Sequence, residues 1–358
     1  MQTNQEHTPF KFLDAFSGIG GFHLGIKSAC EKKKISCECV AAIENDRHSS
    51  KVYIDNFGVT PLGDITKIEI KELPEHDLLV GGFPCQPFSI SGKNHLDVSS
   101  DNRHLLYRNL VDILNEKKPR FFIFENVANL KNVKLEGIPI IDMINQDLVN
   151  CGYKVHVKEL NSANFGVPQQ RKRLFWVGLR NDIEKPFKFP EGVPITYKIA
   201  DIMDQEVPPK FYMENLWRNR KLQAKTPIEL HTKFKRHPHP KNTDRYTVLR
   251  WLVENSTKKI VPGKINLVAS ITGDTPSGIS RQQDRLYSIE GIHPTVATFG
   301  IPCVNATPFW RCLTPREYHR LQGFPDGFRI DSKDSNAYKQ AGNAVTVPVI
   351  EHIVGELL

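Results

Sequence analysis

Short apolar runs alternate with longer amphipathic stretches from the start of the chain to about Asn181. This alternation is typical of parallel strands separated by helices that cover both faces of a sheet. The predicted strands are Phe10 to Asp14, Cys39 to Ile43, Leu78 to Val80, Phe121 to Phe124, Val155 to Leu160 and Leu174 to Leu179. We therefore expect an α/β fold with a mostly parallel sheet.

Residues capable of chemistry stand where several of these strands end. Glu44 follows the second strand, Gly81 to Cys85 follow the third, and Glu125 follows the fourth. Ligands of open α/β sheets bind at the carboxyl ends of the strands. These strand ends therefore predict one shared crevice.

The basic residues are concentrated in one part of the chain. Of the 48 Lys and Arg, 14 lie between Glu206 and Lys264 against 5 Asp and Glu, so that stretch carries +9 and the rest of the chain −1, for a net charge of +8. Prolines also become frequent from about Glu191. We expect a second, smaller domain over residues 191–285, and a larger domain formed by residues 1–190 and 286–358. A local excess of positive charge favours a polyanionic partner, although a solvated basic face would have the same composition.

Several classes of protein are disfavoured by the composition. No apolar run is long enough to span a membrane, and the N-terminal residues lack the order of a signal peptide. Seven scattered cysteines do not form a disulfide framework, and Cys30, Cys37 and Cys39 lack the spacing of a structural zinc site. We expect a cytoplasmic protein with no membrane partner and no metal.

A glycine-containing turn, Asp14 to Gly21, separates the first strand from a helix that begins near Phe22. It permits close backbone approach to a ligand but lacks the third glycine of the dinucleotide fingerprint, so an NAD-dependent oxidoreductase is disfavoured. Glu44 is placed to bind ribose hydroxyls, and Asp64 is placed to accept a hydrogen bond from an adenine amino group. Each acid alone would more often be a helix cap, but their order predicts an adenosyl ligand.

Cys85 lies between two prolines in the segment Gly81 to Ser89, directly after a strand. The prolines prevent the strand from continuing and hold the cysteine in a stiff turn. Most single cysteines are inert core residues, but this setting predicts a nucleophilic thiolate. Glu125 after the fourth strand is suited to proton donation or to a hydrogen bond with a ring nitrogen. Arg171 and Arg173 should share one face of a strand and clamp a carbonyl oxygen or a phosphate.

Together these segments resemble the bacterial DNA cytosine-5 methyltransferases of restriction-modification systems. The resemblance covers about residues 10 to 355 and includes Gly-Gly-Phe-Pro-Cys-Gln-Pro-Phe-Ser at 81–89, Glu-Asn-Val at 125–127, Gln-x-Arg-x-Arg at 169–173 and Gln-Ala-Gly-Asn-Ala-Val at 340–345. It implies a Rossmann-like fold that uses S-adenosylmethionine, with residues 191–285 as the target-recognition domain.

The resemblance also implies roles for individual residues. Cys85 adds to carbon 6 of a cytosine flipped out of double-stranded DNA, Glu125 acts at ring nitrogen 3, and Arg171 holds the carbonyl oxygen, with Arg173 beside it. The positions that match cofactor contacts are Phe16, Gly18, Ile19, Gly20, Gly21, Glu44, Asp64, Ile65, Pro84 and Asn343. Those that match DNA contacts are Gln86, Ser89, Ser91, Lys93, Arg103 and Thr295, and residues 91–103 match the loop that closes over the base.

The chain departs from the family pattern at two positions. Asn45 replaces the aromatic residue that often follows the ribose-binding acid, so we expect Phe16 or Ile65 to stack on the adenine. Ala344 replaces a common hydroxyl residue.

Two alternatives share the fold. An RNA-methylating relative would have a shorter recognition region. A silent DNA-binding protein would have no need of Cys85, Glu125, Arg171 and Arg173. We expect a monomer, and the resemblance allows for a cognate restriction endonuclease that acts on the same DNA site. The target sequence is not encoded in any short motif.

Overall fold

A computed structural model describes residues 8–84, 105–135, 137–212, 230–232, 235–237, 260–270, 285–298, 303–306 and 309–358. The strands are β1 (Phe10–Ala15), β2 (Cys37–Ile43), β3 (Leu78–Gly82), β4 (Phe121–Val127), β5 (Lys134–Leu135), β6 (Ile138–Pro139), β7 (Tyr153–Asn161), β8 (Gln169–Gln170), β9 (Lys172–Arg180), β10 (Leu230–Thr232), β11 (Lys235–His237), β12 (Leu267–Ser270), β13 (Arg285–Ser288), β14 (His293–Pro294), β15 (Cys303–Ala306) and β16 (Phe309–Cys312). The α-helices are α1 (Gly21–Lys33), α2 (Arg47–Phe57), α3 (Leu105–Lys117), α4 (Ile140–Asn150), α5 (Pro315–Arg320), α6 (Asp334–Asn343) and α7 (Val347–Leu357).

The central sheet has six strands in the order β2-β1-β3-β4-β9-β7. The first four strands are mutually parallel, and β9 runs antiparallel to both of its neighbours. Each of the six strands predicted from apolar runs is present, and the expectation of a mostly parallel α/β sheet is confirmed. The parallel strands end at one edge of the sheet, where Glu44, Gly82 and Glu125 lie.

Alternate residues of the inner strands enter two separate cores. Phe121 and Ile123 pack with α1 and α7, whereas Phe122 and Phe124 pack with α3 and α4 on the opposite face. Both faces are therefore buried, which explains why the strands read as continuous apolar runs rather than as alternating ones. The C-terminal helix α7 thus packs beside α1 near the beginning of the chain.

A smaller four-stranded sheet has the order β12-β13-β15-β16. The boundary predicted between residues 285 and 286 falls inside β13, so this sheet combines strands from both sides of that boundary. The texture of the sequence predicts a return to the first domain at Leu286, but Leu286 and Tyr287 pair with strands on both sides of the predicted boundary.

A buried ion pair joins this small sheet to α5. Both terminal nitrogens of Arg311 bind the carboxylate of Glu317 at 2.7 and 2.6 Å, and Glu317 is fully buried. The backbone N–H of Asp204 also donates to Glu317 Oε1 at 2.7 Å. The backbone at Asp204, after the predicted boundary at 191, is therefore anchored to the C-terminal part of the chain.

No helix in the described ranges is long and apolar enough to cross a membrane. Cys30, Cys37, Cys39 and Cys151 form no disulfide bond with another described residue.

Candidate active site

The turn after β1 has a left-handed backbone at three positions. Gly18 and Gly20 have φ angles of 54° and 89°, and Phe16 has a φ angle of 54°. Glycine adopts this conformation without strain, whereas a phenylalanine adopts it only where the surroundings impose it. Strain of this kind is typical of ligand-binding turns, and Phe16 lies in the wall of a cavity.

Glu44, just after β2, is held by the same turn. Its Oε2 accepts a hydrogen bond from the N–H of Gly18 at 2.9 Å, and its Oε1 accepts one from the N–H of Asp46 at 2.7 Å. Burial raises the pKa of Glu44, and these backbone donors oppose that rise. The carboxylate is thus fixed by backbone groups and keeps lone pairs for a ligand.

A buried polar network lies behind this turn. Tyr53 donates a hydrogen bond to Asp14 at 3.3 Å, and His23 Nδ1 lies 2.8 Å from the Tyr53 hydroxyl. Burial raises the pKa of Asp14 to about 8, and burial also lowers the pKa of His23 to about 4. Near neutral pH the network therefore contains a largely protonated acid and a neutral imidazole.

The end of β3 is fastened to the end of β4. Asn126 Nδ2 donates a hydrogen bond to the carbonyl oxygen of Phe83 at 3.1 Å, and Asn126 Oδ1 accepts one from the N–H of Val127 at 2.8 Å. Phe83 and Pro84 directly precede Cys85 in the chain. Asn126 thus fixes the backbone that leads to the predicted nucleophile, and Cys85 itself lies outside the described residues.

Glu125 forms the centre of the site at the end of β4. It is 9% exposed, and its Oε1 lies 2.9 Å from Nε of Arg173. Gly82 lies beside Glu125 in the sheet, and a Cβ atom at residue 82 would lie 3.3 Å from Glu125 Oε2. A glycine at this position therefore leaves room for the carboxylate.

Arg171 is more deeply buried than Arg173, with 3% of its surface exposed. Its terminal nitrogens donate to the carbonyl oxygens of Val296 at 3.3 Å, Gly342 at 3.1 Å and Ala344 at 2.9 Å. Burial lowers the pKa of its guanidinium, but the delocalised group with three acceptors keeps its charge near neutral pH. Arg171 thus ties the strand entrance to the end of α6.

These groups surround a cavity of about 510 Å³, which we call the first cavity. The predicted site residues in its wall are Phe16, Gly18, Ile19, Gly21, Glu44, Pro84, Glu125, Arg171, Arg173 and Asn343. The structure therefore brings together the turn after β1 and the ends of β2, β3 and β4, as the strand endings predicted.

Three predicted cofactor residues lie outside this wall. Asp64 accepts hydrogen bonds from both the N–H and the hydroxyl of Thr66, and so caps a short 3₁₀ helix. Ile65 is buried in the hydrophobic core, and Gly20 packs against the ring of Phe57. Phe16 is therefore better placed than Ile65 to stack on an adenine. The cofactor-binding roles of Gly20, Asp64 and Ile65 stay predictions.

Two wall residues were missed as candidates. Ser17 Oγ and both polar side-chain atoms of Gln340 are buried and form no hydrogen bond within the described part of the chain. Unsatisfied buried polar atoms are costly, so atoms of this kind around a cavity indicate a polar ligand. Gln340 begins the run at 340–345, which was the available signal.

A second, more open cavity of about 730 Å³ adjoins the first and shares Val127, Arg173, Gly342 and Asn343 with it. Thr295, the predicted phosphate contact, lies in its wall, and its hydroxyl donates to the carbonyl oxygen of Gln170 at 2.8 Å. The other predicted DNA contacts, Gln86, Ser89, Ser91, Lys93 and Arg103, lie outside the described residues.

Comparison with known proteins agrees with this geometry. A family model described as C-5 cytosine-specific DNA methylase matches residues 10–358. The chain is 32% identical to Type II methyltransferase M.HhaI of Haemophilus parahaemolyticus, over 98% of this chain and 94% of the relative. It is 34% identical to Type II methyltransferase M.HpaII of Haemophilus parainfluenzae, over 96% of this chain and 87% of the relative.

Solved structures share the fold. A variant of Spodoptera frugiperda DNMT2 superposes with a TM-score of 0.67 at 18% identity, covering 97% of this chain and 99% of that chain. Dnmt2 of S. pombe superposes with a TM-score of 0.65 at 19% identity, covering 98% of each. The family match over almost the whole length shows that this chain belongs to the C-5 cytosine-specific DNA methylases, enzymes that use S-adenosylmethionine to methylate cytosine carbon 5 in DNA.

Proposed function

We propose that this enzyme methylates one cytosine within a specific short sequence of double-stranded DNA through a covalent bond between Cys85 and carbon 6. The observation that carries the proposal is the Glu125–Arg173 pair, placed in the same cavity as the strained turn and Glu44. A buried acid beside a guanidinium suits a ring that gains charge during reaction, and the opposite end of the cavity suits an adenosyl group.

The first cavity fits S-adenosylmethionine. Glu44 would hold the ribose hydroxyls, and Phe16 would contact the adenine. The buried polar atoms of Ser17 and Gln340, which form no hydrogen bond within the described residues, would bind polar atoms of the cofactor. When bound, the cofactor supplies an electrophilic methyl group on a sulfonium.

Cytosine carbon 5 is a poor nucleophile because it belongs to an aromatic ring. Addition of the Cys85 thiolate to carbon 6 breaks the ring double bond and moves its electron pair toward carbon 5 and nitrogen 3. Glu125 donates a proton or a hydrogen bond at nitrogen 3 as charge develops there. Once carbon 5 carries the methyl group, loss of its proton re-forms the double bond and expels Cys85.

The two arginines receive different roles. The resemblance assigned the exocyclic carbonyl oxygen to Arg171, but both terminal nitrogens of Arg171 already bind backbone carbonyls. Arg173 lies against Glu125, beside the ring nitrogen that Glu125 would contact. We therefore assign the carbonyl oxygen to Arg173 and the positioning of the cavity wall to Arg171.

The covalent step can be tested with duplex DNA that carries 5-fluorocytosine at the target position. Fluorine cannot leave carbon 5 as a proton does, so the adduct should accumulate as a protein–DNA band that resists denaturation. Wild-type protein with S-adenosylmethionine should form this band, and Cys85→Ala should not, although it binds the cofactor with unchanged affinity. A band of equal intensity with Cys85→Ala would refute the assignment of the nucleophile.

The segment 191–285 is proposed as the target-recognition domain, supported by its concentration of basic residues. Replacing residues 195–280 by those of a relative should change the methylated sequence, whereas an unchanged target would refute this assignment. We further propose that the enzyme is a monomer that protects DNA from a cognate restriction endonuclease, a context supported by the Type II methyltransferases that it resembles.

A further inference from the structure

The charged side chains of Lys131, Glu159 and Lys172 form a cluster. Lys131 Nζ lies 2.6 Å from Glu159 Oε2, and Lys172 Nζ lies 3.3 Å from Glu159 Oε1. One carboxylate therefore serves two ammonium groups. The cluster keeps one positive charge in excess.

The cluster lies at the active-site edge of the sheet. Glu159 is near the end of β7, which runs in the same direction as β4 because both are antiparallel to β9. Lys131 belongs to the 3₁₀ helix Ala128–Asn132, which directly follows Glu125 and the rest of β4. Lys172 is the first residue of β9 and lies next to Arg173.

Lys172 also lines the second cavity, whose described wall contains two cations, Lys172 and Arg173, and no acid. Arg173 is engaged by Glu125, whereas Lys172 shares its acid with Lys131. The side chain of Lys172 is 54% exposed. A positively charged, solvent-accessible wall of this kind suits an anionic ligand.

Glu159 contributes little to holding the fold together through these contacts, because exposed ion pairs stabilise proteins only slightly. Its pKa is lowered by the hydrogen bond from Lys131 and by the one from Lys172, so the acid stays ionised at neutral pH. Its main effect is therefore to neutralise part of the positive charge that faces the cavity.

We propose that Lys172, supported by Lys131, binds a phosphodiester group of the duplex within a few nucleotides of the target cytosine, and that Glu159 restrains both lysines. The inference rests on the action of this family on DNA. The restraint lowers affinity for DNA of any sequence, which helps an enzyme that must leave non-target sites quickly.

The proposed role of the cluster can be tested by measuring affinity for a target and a non-target duplex. The measurements are made at several salt concentrations with wild-type enzyme and variants. Lys172→Gln should weaken binding to both duplexes roughly three- to tenfold at low salt and reduce the salt slope by about 0.9, the value for one phosphate contact. Glu159→Gln should do the opposite, with tighter binding and a steeper slope. Lys188→Gln is the matched control, since Lys188 pairs with Glu191 and lies in neither cavity wall.

A scan with neutral methylphosphonates around the target cytosine locates the contact. One methylphosphonate should weaken binding of the duplex to wild-type enzyme several-fold and cause no further loss of binding to the Lys172→Gln variant. Turnover of this variant at saturating DNA should differ from that of wild type by less than about twofold. An unchanged salt slope in Lys172→Gln, weaker binding by Glu159→Gln, or fully additive effects at each phosphate would overturn the inference. If wild-type enzyme still methylates DNA in that case, the inference about the cluster has failed and the proposed function has not.

Discussion

The two ends of the first cavity hold their acids by different means. At the end proposed for the cofactor, Glu44 is fixed by the backbone N–H groups of Gly18 and Asp46. At the end proposed for the base, Glu125 is paired with a side chain, that of Arg173. Backbone donors persist when neighbouring side chains change, whereas an ion pair depends on the identity of both partners. This difference matches the roles that we propose, binding at the cofactor end and chemistry at the base end.

The largest expected effect is on the base end. Glu125→Gln should lower kcat about 10²- to 10⁴-fold, because an amide cannot supply the proton at nitrogen 3. Affinity for S-adenosylmethionine should stay within about twofold of wild type, as measured by calorimetry. Equal losses in kcat and in cofactor affinity would remove the distinction between the two ends.

The two arginines provide a matched pair of variants. Arg171→Ala leaves three buried carbonyl oxygens without their donor and should lower the free energy of unfolding by about 3 kcal/mol or more. Arg173→Ala should lose less stability but more turnover, since its partner is the reactive acid. Urea unfolding and single-turnover kinetics on both variants measure this, and the reverse ranking would contradict the assigned roles.

Glu44→Gln should mainly affect binding at the cofactor end. Loss of the charged acceptor for ribose hydroxyls is expected to weaken S-adenosylmethionine about 10- to 100-fold, equivalent to roughly 1.5–3 kcal/mol. With saturating cofactor, kcat should return close to the wild-type value. A lasting loss of kcat under saturation would show that Glu44 takes part in the chemical step.

The smallest expected effect on turnover comes from the network behind the cofactor turn, which we expect to act on stability. The pKa of Asp14 is about 8 in the folded protein against an ordinary value of 3.8, so the folded state retains a proton that the unfolded state has lost. The stability contributed by this group is present below about pH 4 and is lost as the pH rises toward 8. Stability of wild type relative to Asp14→Asn should therefore fall by at most about 1.4 kcal/mol per pH unit between pH 5 and 8 in urea unfolding. A difference independent of pH would show that Asp14 is ionised in the fold.

The sequence predicted the part of the site that depends on strand endings. Six apolar runs became the six strands of the sheet because both of its faces are buried, and the residues after β2, β3 and β4 had to meet at one edge. The roles of Arg171 and Arg173 could not be separated in this way. They share one motif, and the carbonyl groups that bind Arg171 lie more than 120 residues further along the chain.

Competition between local and distant partners limited the prediction elsewhere. Asp64 has a capping partner two residues away in Thr66, so its sequence position alone could not distinguish a ligand contact from a helix cap. The small sheet pairs β12 with β13 across 14 intervening residues, and no periodicity in that region indicated the pairing. Ser17 and Gln340 became candidates only when their burial without partners was visible.

The most direct test of the account is bisulfite sequencing of genomic DNA from a methylation-free bacterial host that expresses this chain, beside the same host expressing Cys85→Ala. We predict protected cytosines within one short sequence in the first strain and none in the second. Protection that persists with Cys85→Ala, or no protected cytosine in either strain, would contradict it.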